Sequence, residues 1–104
     1  MIDVKEFLFS LPQKASPEVL EGHETLFHFD IADSGQYTVQ ITDGKLLVSE
    51  GFSGEPTCTV STSAESFAKL LSGKLNPMMA MMTGKLKISN PGEMLKYAKI
   101  FGLM

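Results

Sequence analysis

The sequence has a single cysteine, no cluster of positive charge and no long apolar run, and each shortage excludes a class of protein. The lone Cys58 cannot form a disulfide within the chain, which fits a reducing compartment. A net charge of -3 without any Lys- or Arg-rich run argues against a nucleic-acid partner. Apolar runs are far shorter than the ~20 residues of a transmembrane helix, and residues 1–11 lack the order of a signal peptide. The sequence therefore predicts an unexported, cytoplasmic protein.

Motifs of common catalytic and metal sites are also missing. The chain has no Gly-x-Ser-x-Gly motif, no metal-spaced set of His, Cys and Asp, and no phosphate-binding glycine loop. His28 and Asp30 share the polar face of a predicted strand, an arrangement that can orient a catalytic base. A solvated or helix-covered sheet face is the simpler interpretation, and Cys58 is expected to point inward as an inert side chain. We predict no catalytic residue, no metal site and no cofactor.

Alternating apolar and polar residues predict five strands within one domain, residues 1–104. Asp43 and Gly44 form a two-residue hairpin signal between the second and third strands. Because one face of the first three strands is apolar and the other polar, we expect an antiparallel meander covered on one side. The predicted strands are residues 25–31, 36–41, 45–50, 57–61 and 85–89.

Helical spacing and capping residues predict helices around these strands. The first helix begins after Asp3 and is expected to end at Pro12, a helix breaker. A short second helix follows Ser16. Thr62 and Glu65 have the spacing of a capping box at the start of the third. The last two helices are predicted over residues 77–83 and 91–101.

The fourth predicted helix is unusually rich in methionine. Asn76 and Pro77 provide its start signal, and Gly84 ends it. A short helix that is apolar on nearly all sides is expected to lie in the core, to line a cavity or to meet a partner, since methionine fits irregular apolar shapes. Thioethers also suit Cu(I), but the single cysteine and the absence of a Met-rich export context argue against a metal. Its methionines are Met78, Met79, Met81 and Met82.

This segment resembles the signature of the sterol carrier protein type 2 family. Residues 70–88 read Leu-Leu-Ser-Gly-Lys-Leu-Asn-Pro-Met-Met-Ala-Met-Met-Thr-Gly-Lys-Leu-Lys-Ile. Residues 57–67 and 27–31 resemble the family's strand-then-helix segment and its first strand. Similarity extends over roughly residues 18–89, and Ser-Asn-Pro-Gly at 89–92 departs from the family's usual Gly-Asp. The chain ends in Phe-Gly-Leu-Met instead of a peroxisomal Ser-Lys-Leu, so we expect a small stand-alone prokaryotic member.

The resemblance implies an α/β (α+β) fold with a five-stranded, mostly antiparallel sheet, helices packed on one face, and an apolar lipid tunnel between them. It implies non-catalytic binding and transfer of fatty acids, fatty acyl-CoA, phospholipids or sterol-like ligands, with acyl chains or isoprenoids expected over sterols. The protein is expected to be a monomer or a homodimer. Five lysines make the C-terminal third positive; solvated positions are the simpler interpretation, and transient contact with anionic headgroups of a membrane is the alternative. They are Lys74, Lys85, Lys87, Lys96 and Lys99. The tunnel residues carried over from the family are Phe67, Leu70, Leu71, Met78, Met79, Met82, Met94, Leu95, Ala98 and Phe101.

An alternative function involves no transported ligand. The apolar C-terminal helices would then form a homodimer contact or a docking surface for a lipid- or quinone-metabolising enzyme. A third hypothesis is an enzyme centred on His28 and Asp30. The sequence leaves open the natural lipid, the partner, and whether the last helix acts as a mobile lid.

Overall fold

A five-stranded sheet is the frame of the computed structural model, which describes residues 3–14 and 17–97. The spatial order is β3-β2-β1-β4-β5. Strands β1 and β4 run parallel, and the other neighbouring pairs are antiparallel, so the predicted mostly antiparallel sheet is confirmed. The strands are β1 (Thr25–Ile31), β2 (Gly35–Thr42), β3 (Lys45–Glu50), β4 (Cys58–Thr62) and β5 (Leu86–Ile88).

The predicted hairpin between β2 and β3 is present. Asp43 has φ 51° and Gly44 has φ 71°. Both values are positive, as the two central residues of a type I′ turn require. This turn sets the register in which Thr42 faces Lys45.

Within residues 3–14 and 17–97, five helices accompany the sheet: α1 (Val4–Lys14), α2 (Pro17–Leu20), α3 (Ala64–Leu71), α4 (Pro77–Met82) and α5 (Pro91–Tyr97). The prediction that Pro12 ends α1 was wrong, because the helix continues to Lys14. Proline has a helical φ, but it lacks the N–H donor and its ring crowds the carbonyl four residues earlier. The helix tolerates this near its end and continues for only two residues beyond Pro12.

Ser63 is the residue that caps α3, and the prediction of Thr62 in this role was wrong by one position. The Ser63 hydroxyl accepts a hydrogen bond from the Ser66 N–H at 3.1 Å. Thr62 is instead the last residue of β4, and its hydroxyl donates to the carbonyl of Lys85 at 2.7 Å. The sheet therefore holds Thr62 and leaves Ser63 as the first residue free to cap the helix.

The hydrophobic core lies between one face of the sheet and the helices. The inward side chains of β1 are buried at every second position, from Thr25 to Ile31. Aromatic contacts join the layers, since the ring of Phe67 in α3 meets the rings of Phe29 and Phe7 at centroid distances of 6.1 and 5.8 Å. The buried helical residues that complete this core are Val4, Leu8, Leu11, Leu20, Phe67, Leu70, Ala80, Met94 and Tyr97.

Candidate functional site

The ten predicted tunnel residues fall into three groups. Three of them are buried in the core, and Leu71 is half-buried beside them. Three of the four methionines of α4, all of them predicted tunnel residues, are exposed. The side chain of Leu95, and all of Ala98 and Phe101, lie outside the described residues. The buried group is Phe67, Leu70 and Met94.

Helix α4 is capped by hydrogen bonds at both ends. The Asn76 side-chain oxygen accepts hydrogen bonds from the N–H groups of Met78 at 2.8 Å and Met79 at 3.4 Å. At the other end, the Lys85 N–H donates to the Ala80 carbonyl at 2.9 Å. Gly84 makes this closure possible with a φ of 80°, since glycine adopts positive φ without steric cost. The orientation of the helix is therefore fixed locally.

This orientation turns most of the methionines outward. Ala80 is fully buried, while Met78, Met79 and Met82 are 65%, 55% and 80% exposed. Only Met81 packs partly against the core. A short helix can place one side against the sheet, and the small Ala80 lets its backbone approach closely. Burial in the core, one of three predicted alternatives, is thus wrong for the three exposed methionines, which we call the methionine face.

Helix α5 is tied to the beginning of β1 by polar contacts. The Thr25 hydroxyl donates to Glu93 Oε2 at 2.6 Å, and the Tyr97 hydroxyl lies 3.2 Å from His23 Nδ1. The Tyr97 ring also meets the Phe27 ring edge-on at 5.6 Å. Burial, and to a lesser extent Glu93, raise the pKa of Tyr97. Helix α5, which also carries the buried Met94, is therefore anchored to the sheet by these hydrogen bonds.

These anchoring residues were not among the predicted site residues. One signal was present, since Thr25 is a polar residue in the apolar register of β1 and so requires a partner. Its partner lies 68 positions away. Local periodicity carries no information over such a separation.

The opposite face of the sheet holds His28, away from the methionine face. The His28 side chain is 6% exposed, and its ring stacks on Phe52 at 4.3 Å. Its Nε2 lies 3.0 Å from the Ser53 carbonyl oxygen. A loop covers this part of the face, so the expectation of a solvated or helix-covered surface was wrong for His28. Within ranges 3–14 and 17–97, no group of three or more His, Cys, Asp or Glu is placed to hold a metal.

Cys58 is buried on the inward side of β4, as predicted. Its thiol donates to the Asn90 carbonyl at 3.5 Å. Burial raises the pKa of this thiol, which keeps it protonated near neutrality. Cys58 is therefore a packing residue of β4 that lies beside the start of α5.

One hollow on the described surface is lined mainly by charged residues. It has a volume of about 710 Å³ and lies between α2 and the β2–β3 hairpin. Its lining differs from the apolar tunnel that the resemblance implies, so the tunnel stays a prediction. The residues around it are Glu18, Glu21, Gly22, His23, Glu24, Asp43, Gly44 and Lys45.

The match to a known family is nearly complete in length. Residues 4–102 match the family model of the SCP-2 sterol transfer family. The chain belongs to this family. The resemblance noted in residues 70–88 is thereby confirmed, and the SCP-2 domain identifies the chain in general terms as a lipid-binding module.

A curated relative places a similar SCP-2 domain inside a larger protein. The chain is 31% identical over 108 residues to hydroxysteroid dehydrogenase-like protein 2 of Xenopus tropicalis. The alignment covers 97% of this chain and 25% of that protein. The chain thus spans about a quarter of the length of this relative.

Two solved structures share the SCP-2 fold. The sterol carrier protein domain 2 of Helicoverpa armigera is 25% identical with a TM-score of 0.78, over 95% of this chain and 85% of that one. Palmitated SCP2L2 from Aedes aegypti is 17% identical with a TM-score of 0.66, over 96% and 95%. The second likeness concerns the fold alone.

Among the described residues, no helix is long and apolar enough to cross a bilayer.

Proposed function

We propose that this SCP-2 domain binds a lipid through its acyl chain and carries it between a donor and an acceptor. The observation that supports this is the methionine face, an apolar surface on a helix that is capped at both ends and whose inner side meets the core. Contiguous exposed apolar surface on a small domain is typical of a binding site. In a family named for sterol transfer, a lipid is the ligand with matching chemistry.

The chemistry of the surface favours acyl chains over rigid ligands. Methionine side chains are unbranched and polarizable, so they adapt to a flexible chain in several positions. Each methylene removed from water contributes roughly 0.8 kcal/mol, before the cost of immobilising the ligand. Because apolar contacts discriminate weakly between similar ligands, we expect broad selectivity among chain lengths. The palmitated state of the SCP2L2 neighbour is a precedent in that protein.

The expected lining combines the core and the surface of the helical layer. Phe67, Leu70 and Met94 would form the inner wall, and Met78, Met79 and Met82 would close over the ligand. The methionines would thus be exposed without a ligand and buried with one. No catalytic group or cofactor is assigned to this activity.

Native mass spectrometry of the purified protein tests the proposal directly. A lipid-sized mass that survives gentle ionisation and disappears after denaturing extraction is the expected result. Titration of the extracted protein with a fluorescent fatty acid should then give saturable binding. A protein that carries no lipid and ignores the fatty acid at saturating concentration would contradict the proposal.

A second candidate function is a ligand-free docking or dimerisation module. The same methionine face favours it, since an exposed apolar helix can also pack against a protein. A dimer in size-exclusion chromatography that fails to bind fatty acid would support this candidate over the carrier.

A further inference from the structure

The accessible sulfur atoms of the described residues are concentrated on one short helix. The exposed methionines all belong to α4, where they form the methionine face. Met82 follows Met78 by four positions and Met79 by three, so the three side chains are neighbours on one side of the helix. Their thioethers are therefore presented together to solvent, at the surface where the acyl chain is proposed to bind.

The other sulfur atoms of the described residues are less accessible. Met94 is 4% exposed in the core, and Met81 packs partly against the core. Cys58 is buried, and the raised pKa of its thiol limits formation of the thiolate with which peroxides react. A peroxide in solution therefore meets the thioethers of the methionine face first.

We infer that the methionine face is a reversible oxidation site, at which conversion of methionine to its sulfoxide lowers the affinity for lipid. The sulfur lone pair attacks one oxygen of hydrogen peroxide, the O–O bond breaks as the S–O bond forms, and the second oxygen leaves as water. Each thioether loses two electrons, and the peroxide gains them. Methionine sulfoxide reductases reverse the step, with one enzyme for each sulfoxide epimer. Two reductase thiols supply the electrons and become a disulfide, and the oxygen leaves as water.

The position of the sulfoxides explains the loss of affinity. On the exposed face of the ligand-free protein, water hydrates the S–O group. An acyl chain that covers the face removes this water and offers no hydrogen bond in return. Burial of an unpaired polar group lowers affinity by about 5-fold to 150-fold. The inference rests on the proposed function here, because only a ligand that covers the face makes the sulfoxide costly.

Oxidation at this site should leave the fold intact. The three exposed side chains contribute little to the core, so their oxidation resembles a surface substitution. The melting temperature should therefore shift by less than about 4 °C. Oxidation of the buried Met94 would instead place a polar group in the core and destabilise the domain. The difference separates a reversible change in binding from oxidative damage.

Peptide mapping tests the modification site itself. The full-length protein is treated with hydrogen peroxide, the reaction is stopped with catalase, and mass spectrometry locates the added oxygen. Trypsin releases residues 75–85, which hold the four methionines of α4, separately from residues 88–96, which hold Met94. The three exposed methionines should oxidise at nearly the rate of an unfolded reference peptide. Met94 should react much more slowly, because it requires local unfolding.

Fatty acid titration before and after peroxide tests the effect on binding. Oxidised wild-type protein should bind a fluorescent fatty acid at least about fivefold more weakly than untreated protein. A mixture of the reductases for both sulfoxide epimers should restore the original affinity. Recovery on this scale is not expected from a protein that peroxide has unfolded.

Two sets of leucine variants assign the effect to particular sulfur atoms. Leucine removes the thioether with little change in volume. In the variant Met78→Leu/Met79→Leu/Met82→Leu, the ratio of affinities before and after peroxide should be close to one. In the matched variant Met81→Leu/Met94→Leu, this ratio should equal that of the wild type. Each variant is its own reference, so a change in starting affinity does not affect the comparison.

The outcomes separate this inference from the proposed function. Oxidation of Met94 as fast as the exposed methionines would overturn the site. So would an unchanged affinity in protein whose methionine face is fully oxidised, or an equal loss of affinity in the triple leucine variant. In these cases fatty acid binding by the untreated protein leaves the carrier function standing. Untreated protein that binds no fatty acid would reject the carrier and the effect on lipid affinity together.

Discussion

The Tyr97 hydroxyl lies 3.2 Å from Nδ1 of His23, and this contact joins α5 to the turn that precedes β1. A second bond, from Thr25 to Glu93, fastens the first turn of the same helix. Together they hold the last described helix against the sheet at two points. If α5 were the lid of a lipid site, these bonds would be the ones that open.

The first prediction concerns this anchor. Tyr97→Phe should lower the free energy of unfolding by about 1 kcal/mol, because it removes one part-buried hydrogen bond. Hydrogen exchange of α5 amides should accelerate more than that of β1. Urea denaturation and exchange mass spectrometry measure the two effects. Tyr37→Phe, which removes the bonds to Ser34, is the matched control and should leave exchange in α5 unchanged.

The second prediction concerns alkaline pH. Burial raises the pKa of both Cys58 and Tyr97 above their ordinary values of 9.0 and 10.0. The folded protein therefore keeps protons that the unfolded chain releases, and the unfolded chain binds fewer protons as pH rises. The stability from these groups is fully present below pH 9 and is lost progressively as pH rises toward the folded-state pKa values.

Denaturation at a series of pH values measures this loss. In Cys58→Ala the free energy of unfolding should fall less steeply just above pH 9, where the unfolded thiol ionises. In Tyr97→Phe the flattening should begin near pH 10. Parallel curves of unfolding free energy against pH for the wild type and both variants would contradict the assignment of this loss to Cys58 and Tyr97.

The third prediction concerns the packing of α4 against the sheet. Ala80 is fully buried against the sheet, so Ala80→Leu should overpack this contact and cost about 1–3 kcal/mol. Met79→Leu changes an exposed residue on the same helix and should stay within about 0.5 kcal/mol of the wild type. Thermal melting followed by circular dichroism compares the two. Equal stability of both variants would mean that α4 is not packed as described.

The fourth prediction concerns lipid uptake. Met82→Glu places a charge on the methionine face and should abolish binding of fluorescent fatty acid. Leu47→Glu makes the same kind of change at a 51% exposed residue of β3, at the far edge of the sheet. It should bind like the wild type. Unchanged uptake by a folded Met82→Glu variant would remove Met82 from the site.

Local patterns sufficed for much of the sheet. The bounds of β1 and the Asp43–Gly44 turn agree with the predicted ones, because alternation and turn chemistry act between neighbouring residues. The parallel pairing of β1 with β4 could not be predicted from such local patterns. It depends on the path of residues 51–57, which no strand pattern specifies.

The site was less predictable than the sheet. Composition showed that α4 is apolar, yet which side faces inward depends on the fit of Ala80 against β5 and on the two caps. The hydrogen bond between Thr25 and Glu93 joins positions far apart in sequence. Family resemblance supplied the remaining site residues, and three of them lie partly or wholly outside the described structure.

The loop that covers His28 has a mechanical consequence. It leaves the edge strand β3, crosses β2 and β1 on their polar face, and joins β4. Thr38 donates to the Gly51 carbonyl at 2.7 Å, and the Thr57 N–H donates to Leu26 at 2.8 Å. Through these hydrogen bonds the loop links β2 and β1 on the polar face of the sheet, without any helix. We therefore expect a ligand that displaces helices on the apolar face to leave the pairing of β1 with β2 intact.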